Sequence, residues 1–268
     1  MTAHGGEPRF LMATTKQTES ALQVLNGNGA TRSCWSCGDM VAAHFCQACG
    51  KVQPAKPTDY FSFFGLPHKL NIDNGELEHE MFALSRRLHP DLYARASEQE
   101  QEWSLEQTSQ LNDAYRTLRD PILRTEYLLK LEGFKSQEQS LAATEAARTS
   151  GQSKKPAVPP DLLEEVFELN MQLEELRANK KLGDEDYALT CELQQARKKF
   201  EQKLAAISGE LQALWNLWDA LIDRTESGAQ VTTDERRKAC TKMLDLLNGR
   251  RYVQHLVRDI GEVLEAGN

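Results

Sequence analysis

The sequence predicts an all-α protein: a helical hairpin followed by a helical bundle, fronted by a small cysteine knuckle. Three observations predict it. Apolar residues recur at helical spacing through most of the chain after residue 58, and no strand-like alternation of useful length occurs outside the cysteine module. Helix-starting signatures precede the periodic runs. Four of the six cysteines fall within residues 34–50 as two Cys-x-x-Cys pairs.

Taken in order, residues 1–33 read as a leader without periodicity, ending in Gly27-Asn28-Gly29-Ala30-Thr31. Its basic residues are interspersed with Glu7 and Glu19, unlike an Arg-rich, acid-poor transit peptide, and it has no continuous apolar core of a secretory signal. The knuckle and its linker, with Pro54 and Pro57, occupy 34–57. Residues 58–134 read as helices. Asp73 with Glu76, and Ser97 with Glu100, are N-cap pairs. Met81, Phe82, Leu84 and Leu88 carry a helical period that Pro90 ends, because proline disfavours helix at His89 and removes a donor. A further helix carries Trp103, Leu111, Ala114, Tyr115 and Leu118 and stops before Pro121.

Residues 135–160, rich in Ser, Gly and Pro, form a second linker. Asp161 with Glu164 then opens a helical region, 161–268, with turns expected at Gly183 and at Ser227–Gln230 and a capping box at Thr232 and Glu235. In its first helix Leu162, Val166, Leu169, Leu173 and Leu176 form one stripe, which predicts a core face. Leu163, Phe167 and Met171 fall on another face, to be covered by the hairpin or the middle helix, or else open to a partner. The last helix repeats the pattern: Leu246, Val253, Val257, Ile260 and Leu264 make the stripe and Tyr252 points off it.

At 268 residues the chain fits roughly two domains of about 100–150 residues each. Its net charge of −8 argues against binding a nucleic-acid backbone. The block 58–133 carries 8 basic and 14 acidic residues, so any basic contact surface there is a local patch. Apolar runs are only a few residues long, against about 20 for a membrane span. No Gly-rich phosphate loop and no nucleophile–base arrangement is present, so no enzymatic reading finds support; His79 and His255 stand alone on helices.

Cys34-Trp35-Ser36-Cys37-Gly38 and Cys46-Gln47-Ala48-Cys49-Gly50 are two copies of C-x-x-C-G. Each turn sets two thiolates about a metal's width apart, and the following glycine permits the positive φ that lets backbone N–H groups face sulfur. Cys34, Cys37, Cys46 and Cys49 therefore predict a closed structural Zn²⁺ site, with mononuclear iron the other metal that four thiolates suit. A thioredoxin-like redox site would need a strand–helix unit that is missing. His44 is read as a loop residue, since four sulfurs complete the shell. Cys191 and Cys240 are expected to be core thiols. A metal site rather than disulfides implies a reducing compartment.

His89-Pro90-Asp91 lies between two helices, directly after Arg86-Arg87. Asp59-Tyr60-Phe61 and Gly65-Leu66-Pro67 lie upstream; Leu111-Asn112-Asp113-Ala114-Tyr115-Arg116-Thr117-Leu118 and Asp120-Pro121 lie downstream. This pattern resembles a J-domain, the helical hairpin that engages DnaK-type chaperones. The resemblance implies that His89, Pro90 and Asp91 form the chaperone-binding tip, Pro90 stiffening the turn and Asp91 pairing with an arginine of the chaperone. Arg86 and Arg87 supply a basic patch beside it. Leu92 stands where many J-domains have lysine.

Asp59 through Pro67 and Arg124-Thr125-Glu126-Tyr127-Leu128-Leu129 narrow this further: the chain resembles the HscB co-chaperones of iron–sulfur cluster assembly, clearly over 58–134 and more loosely over 160–268. Some members carry a similar four-cysteine knuckle. The segment 184–226 is longer here than in shorter members, and its Trp215 and Trp218 are assigned to core packing. The resemblance implies no enzymatic activity of its own, an IscU-type scaffold held at Leu163, Phe167, Glu168 and Tyr252, and an HscA/DnaK-type chaperone stimulated through the His-Pro-Asp loop. It implies a bacterial cytoplasmic protein, or one of the mitochondrial matrix if eukaryotic. Two other readings stay open: a general J-domain adaptor for other clients, and a metal-dependent regulator built on the knuckle.

Overall fold

The computed structural model describes residues 32–41, 44–134, 163–182 and 186–265. The leader up to residue 31, the linker 135–160, the Asp161 cap, Leu162 and the Gly183 turn lie outside the described residues. The fold is all-α, as the periodicity predicts. Two short strands, β1 (Arg32–Ser33) and β2 (Met40–Val41), pair antiparallel with Arg32 opposite Val41. The helices are α1 (Tyr60–Phe63), α2 (Asn74–Leu88), α3 (Glu98–Arg119), α4 (Pro121–Leu131), α5 (Leu163–Leu182), α6 (Tyr187–Glu226) and α7 (Thr233–Glu265). A 3₁₀ turn, Pro90–Tyr93, joins α2 to α3.

The caps fall where the residue types put them. Asp73 Oδ1 accepts from the N–H groups of Gly75 (2.7 Å) and Glu76 (3.1 Å), and Ser97 and Glu100 form a reciprocal box. Thr232 N–H donates to Glu235 Oε2 (2.9 Å) while Glu235 N–H donates to Thr232 Oγ1 (3.2 Å). Asp120 caps α4, with Pro121 at its first position, where a missing N–H costs nothing. The turn at Ser227–Gln230 is closed by Gly228 at φ +80°.

The chain divides into two compact units: residues up to Gly65 with Phe82–Leu111, and Leu66–Met81 with everything from Asn112 onward. In the first, Phe61, Phe63, Leu84, Leu88 and Leu111 are buried. The hydroxyls of Ser104 (2.6 Å) and Thr108 (3.0 Å) donate to the Leu88 carbonyl, one of those left open where α2 ends.

In the second unit α6, 40 residues and about 60 Å long, packs along α7, and α5 lies against both. Their core is Val166, Leu169, Leu173 and Leu176 with Leu189, Leu193, Phe200, Val253, Leu256, Ile260 and Val263. The extended segment before α2 is tied to α6. Asp219 accepts from Leu70 N–H (2.6 Å) and Asn71 N–H (2.9 Å), and Trp218 Nε1 donates to the His68 carbonyl (2.8 Å). Trp215 and Trp218 are buried, as expected.

Four expectations need correction. Phe82 is exposed, and the buried line of α2 is Leu77, Leu84 and Leu88. On α7 the buried line is Met243, Leu247, Val253, Leu256, Ile260 and Val263; Leu246, Val257 and Leu264 are half-buried flank residues. Three of those positions are slipped by one residue, about 100° of helix, because the direction of the neighbours α4, α5 and α6 sets the seam. Tyr252 does not stand clear of that seam but packs, half-buried, against its core. Cys191 is exposed while Cys240 is buried. Two residues after buried Leu189 and two before Leu193, Cys191 faces away from the core on α6.

Candidate functional site

The four knuckle sulfurs converge. Cys34, Cys37, Cys46 and Cys49 place their Sγ atoms within 4.8 Å of one another, with Cys34–Cys49 at 3.7 Å and Cys37–Cys46 at 3.5 Å. A tetrahedral ion with metal–sulfur bonds of about 2.3 Å needs sulfur–sulfur edges of about 3.8 Å, so the donor set fits a metal ion. Both glycines adopt positive φ, Gly38 at +79° and Gly50 at +73°, and each donates its N–H to the carbonyl of the cysteine that opens its turn (2.9 Å). Ser36 N–H (3.4 Å) and the buried Gln53 amide (3.3 Å) donate to Cys34 Sγ.

Electrostatics follow from that crowding. Burial works to raise the Cys34 thiol, but the N–H groups of Cys37 and Ser36 and the Gln53 amide outweigh it and hold the thiol at about 6. At Cys37 the Asp39 N–H favours thiolate, yet neighbouring Cys46, burial and the other two cysteines together push it up to about 12. Four adjacent thiolates repel unless a cation lies among them. Four sulfurs gathered this closely fit a metal ion.

The loop of the hairpin is presented to solvent. His89 caps the 3₁₀ turn, its Nδ1 accepting from Asp91 N–H (3.3 Å), Pro90 is its first residue, and the Asp91 side chain is 90% exposed. Arg86 and Arg87 occupy the last turn of α2, where positive charge suits the carbonyl end of the helix. Tyr93 reaches back, its hydroxyl donating to the Arg87 carbonyl (3.1 Å).

On α5, Phe167 (69% exposed) and Met171 (60%) form an uncovered apolar pair, with Glu168 beside them and also exposed. Val166, Leu169 and Leu173 turn inward, so the two faces separate as the spacing predicts. Leu163 is the first residue of α5; its side chain lies outside the described residues. Tyr252, on the flank of α7, is less accessible than expected, and burial, aided by the Asp259 charge, raises its phenol above the usual value.

No local sequence pattern marks the residues that fasten the knuckle to the hairpin. Trp35 Nε1 donates to the Val52 carbonyl (2.7 Å), and its ring meets Trp103 edge-on at 5.6 Å. Lys51 pairs with buried Glu100 at 2.8 Å. The His44 ring nitrogens lie 2.8 Å from Gln107 Oε1 and 3.0 Å from the Phe63 carbonyl, which gives that loop residue a structural partner. One signal was available: a module this small offers little core of its own for Phe45 and Val52, both of which are buried.

No family model matches the sequence. The Vibrio cholerae co-chaperone protein HscB homolog is 34% identical over 160 residues, covering 59% of this chain and 82% of the relative. The iron–sulfur cluster co-chaperone protein HscB of mouse is 36% identical over 118 residues, 42% of this chain. The Arabidopsis thaliana homolog is 34% identical over 143 residues, 53% of this chain. The chain spans about half the length of these last two, 50% and 51%. The crystal structure of human co-chaperone protein HscB superposes with a TM-score of 0.51 at 23% identity, over 85% of this chain and 96% of that one, a likeness of fold. At 34% identity over 82% of the length of the Vibrio relative, the chain belongs to the HscB family of co-chaperone proteins.

Proposed function

We propose that this protein is a non-enzymatic co-chaperone of iron–sulfur cluster assembly. Its C-terminal helices hold an IscU-type scaffold, and its His89-Pro90-Asp91 loop stimulates the ATPase of an HscA/DnaK-type chaperone. The observation that carries the reading is the exposed His-Pro-Asp loop behind the basic last turn of α2, in a chain of this family. The domain limits are proposed to be 34–57 for the knuckle, 58–134 for the J-domain and 161–268 for the scaffold-binding domain. The chemistry stays in the chaperone; Asp91, Arg86 and Arg87 supply charge to its surface.

Phe167, with Leu163 and Tyr252, is proposed to anchor the scaffold and Glu168 to orient it. A few large side chains carry most of such binding energy, and an exposed Phe–Met pair has no other cover among the described residues. The knuckle is proposed to hold structural Zn²⁺, since four sulfurs leave no coordination position for chemistry. Thiolates kept for a metal suit a reducing compartment, the bacterial cytoplasm or the mitochondrial matrix.

Calorimetric titration of an IscU-type scaffold tests the reading. Micromolar-range binding is expected, lost in a folded Leu163→Ala/Phe167→Ala/Tyr252→Ala variant. His89→Gln should abolish ATPase stimulation and leave scaffold affinity intact. A wild-type protein that ignores the scaffold but suppresses aggregation of assorted denatured proteins would favour the general adaptor instead.

A further inference from the structure

The knuckle is fastened to the loop end of the hairpin, the end that the proposed function makes the chaperone contact. Both belong to one compact unit. The Arg87 guanidinium lies over the ring of Phe45, 3.9 Å from its centroid, and Phe45 is the residue directly before the ligand Cys46. Phe45 is itself buried and bridges to Val52 across the second cysteine turn. The ring that carries Arg87 is therefore set by the turn that would close around the metal.

A second tie is polar and buried. Gln53, with no exposed surface, gives one amide N–H to Cys34 Sγ (3.3 Å) and another to the Lys51 carbonyl (2.9 Å). Its own backbone carbonyl accepts from Gln107 Nε2 of α3 at 2.5 Å, and Gln107 is also buried. Gln53 Oε1 is buried and has no hydrogen-bond partner among the described residues, a desolvation cost with no bond there in return. A glutamine chosen for stability alone would not sit so; one that must aim an N–H at a ligand sulfur would. Ser104 and Thr108, on either side of Gln107 along α3, hold the Leu88 carbonyl just before His89.

We propose that the metal-organised knuckle is a brace for the chaperone-docking loop, with Phe45, Gln53 and Gln107 as positioning residues that set Arg87 and the end of α2. The inference rests on the reading of the His-Pro-Asp loop as the chaperone contact. Its consequence is that metal in the knuckle tunes how tightly the chaperone is engaged, although none of the four cysteines touches it.

The test uses the full chain, zinc-loaded and after chelation, with Phe45→Leu, Phe45→Tyr and Gln107→Leu variants. Two quantities are read: amide hydrogen exchange over residues 88–92, and the concentration giving half-maximal stimulation of a DnaK-type chaperone's ATPase. Chelation and Phe45→Leu should each speed exchange and raise the half-maximal concentration about three- to tenfold, the size of one lost cation–π contact, with the maximum unchanged. Phe45→Tyr keeps the ring and should behave as wild type. Gln107→Leu should retain one zinc per chain and still speed exchange. Unchanged exchange on both chelation and Phe45→Leu overturns the brace, as does a Phe45→Tyr variant as impaired as Phe45→Leu. Failure of the zinc-loaded wild type to stimulate the chaperone would instead sink the functional reading, and the exchange rates would still decide the brace.

Discussion

The C-terminal bundle and the cysteine knuckle are held together by different physics. The C-terminal bundle buries a continuous row of aliphatic side chains, Leu169, Leu173, Leu193, Leu256 and Ile260 among them, over helices of 20, 40 and 33 residues. The knuckle has a core of Cys34, Val41 and Cys46. Among the described residues it substitutes clustered sulfurs, the Lys51–Glu100 ion pair, ring contacts and buried amides for apolar area it does not possess. Stability in the bundle is spread over many small contributions and tolerates the loss of one. In the knuckle it is concentrated in a few bonds that act together, around four sulfurs whose cluster fits a metal ion.

Metal removal should expose that contrast most sharply. Chelation is expected to cost the knuckle its fold, since binding free energies of about 10 kcal/mol or more are folding free energy in such modules. Trp35 fluorescence should report the loss, while amide protection at Leu193, Leu256 and Ile260 in the bundle stays unchanged. Loss of protection in both would break the comparison.

The converse change is smaller. Ile260→Ala, at a site with no exposed surface, should destabilise the bundle by about 2–5 kcal/mol in a denaturant titration and leave metal stoichiometry at one. A drop in metal content would mean that the bundle also supports the knuckle.

Smallest is the start of α7. Thr232→Ala removes the hydroxyl half of the capping box and leaves the backbone N–H on Glu235; it should cost about 1 kcal/mol. The Thr232 backbone N–H and hydroxyl, with Arg224, hold the Glu235 carboxyl below its ordinary 4.5. Its contribution is therefore present above pH 4.5 and is lost as pH falls below that through the lowered value. Thr232→Ala should make this acid limb shallower without removing it, because the backbone N–H remains; an unaltered pH profile would show that the hydroxyl carries none of it.

Much of this molecule was legible because its signals are local. Asp73, Ser97 and Thr232 cap helices through bonds to residues two or three positions away, and the two C-x-x-C-G turns close on themselves. Phe167 and Val166 separate onto different faces, about 100° apart, by helical geometry alone. Errors arose where a neighbour far along the chain decides. Leu246, Val257 and Leu264 lie a fraction of a turn off the α7 seam, and Cys191 turned out exposed, because the placement of other helices selects which of two apolar arcs is buried. Nothing near Phe45 or Gln107 in sequence announces that they belong to one site.

By itself, then, the sequence determined which segments are helical, where they start, which four sulfurs gather and which loop carries His89-Pro90-Asp91. Each of these follows from bonds and periodicities spanning a few residues. Only the tertiary structure decided that Arg87 rests on Phe45, that Gln107 reaches Gln53, and that Asp219 holds the segment before α2. Those contacts join residues 42, 54 and about 150 positions apart, and their energies depend on burial that no local pattern encodes.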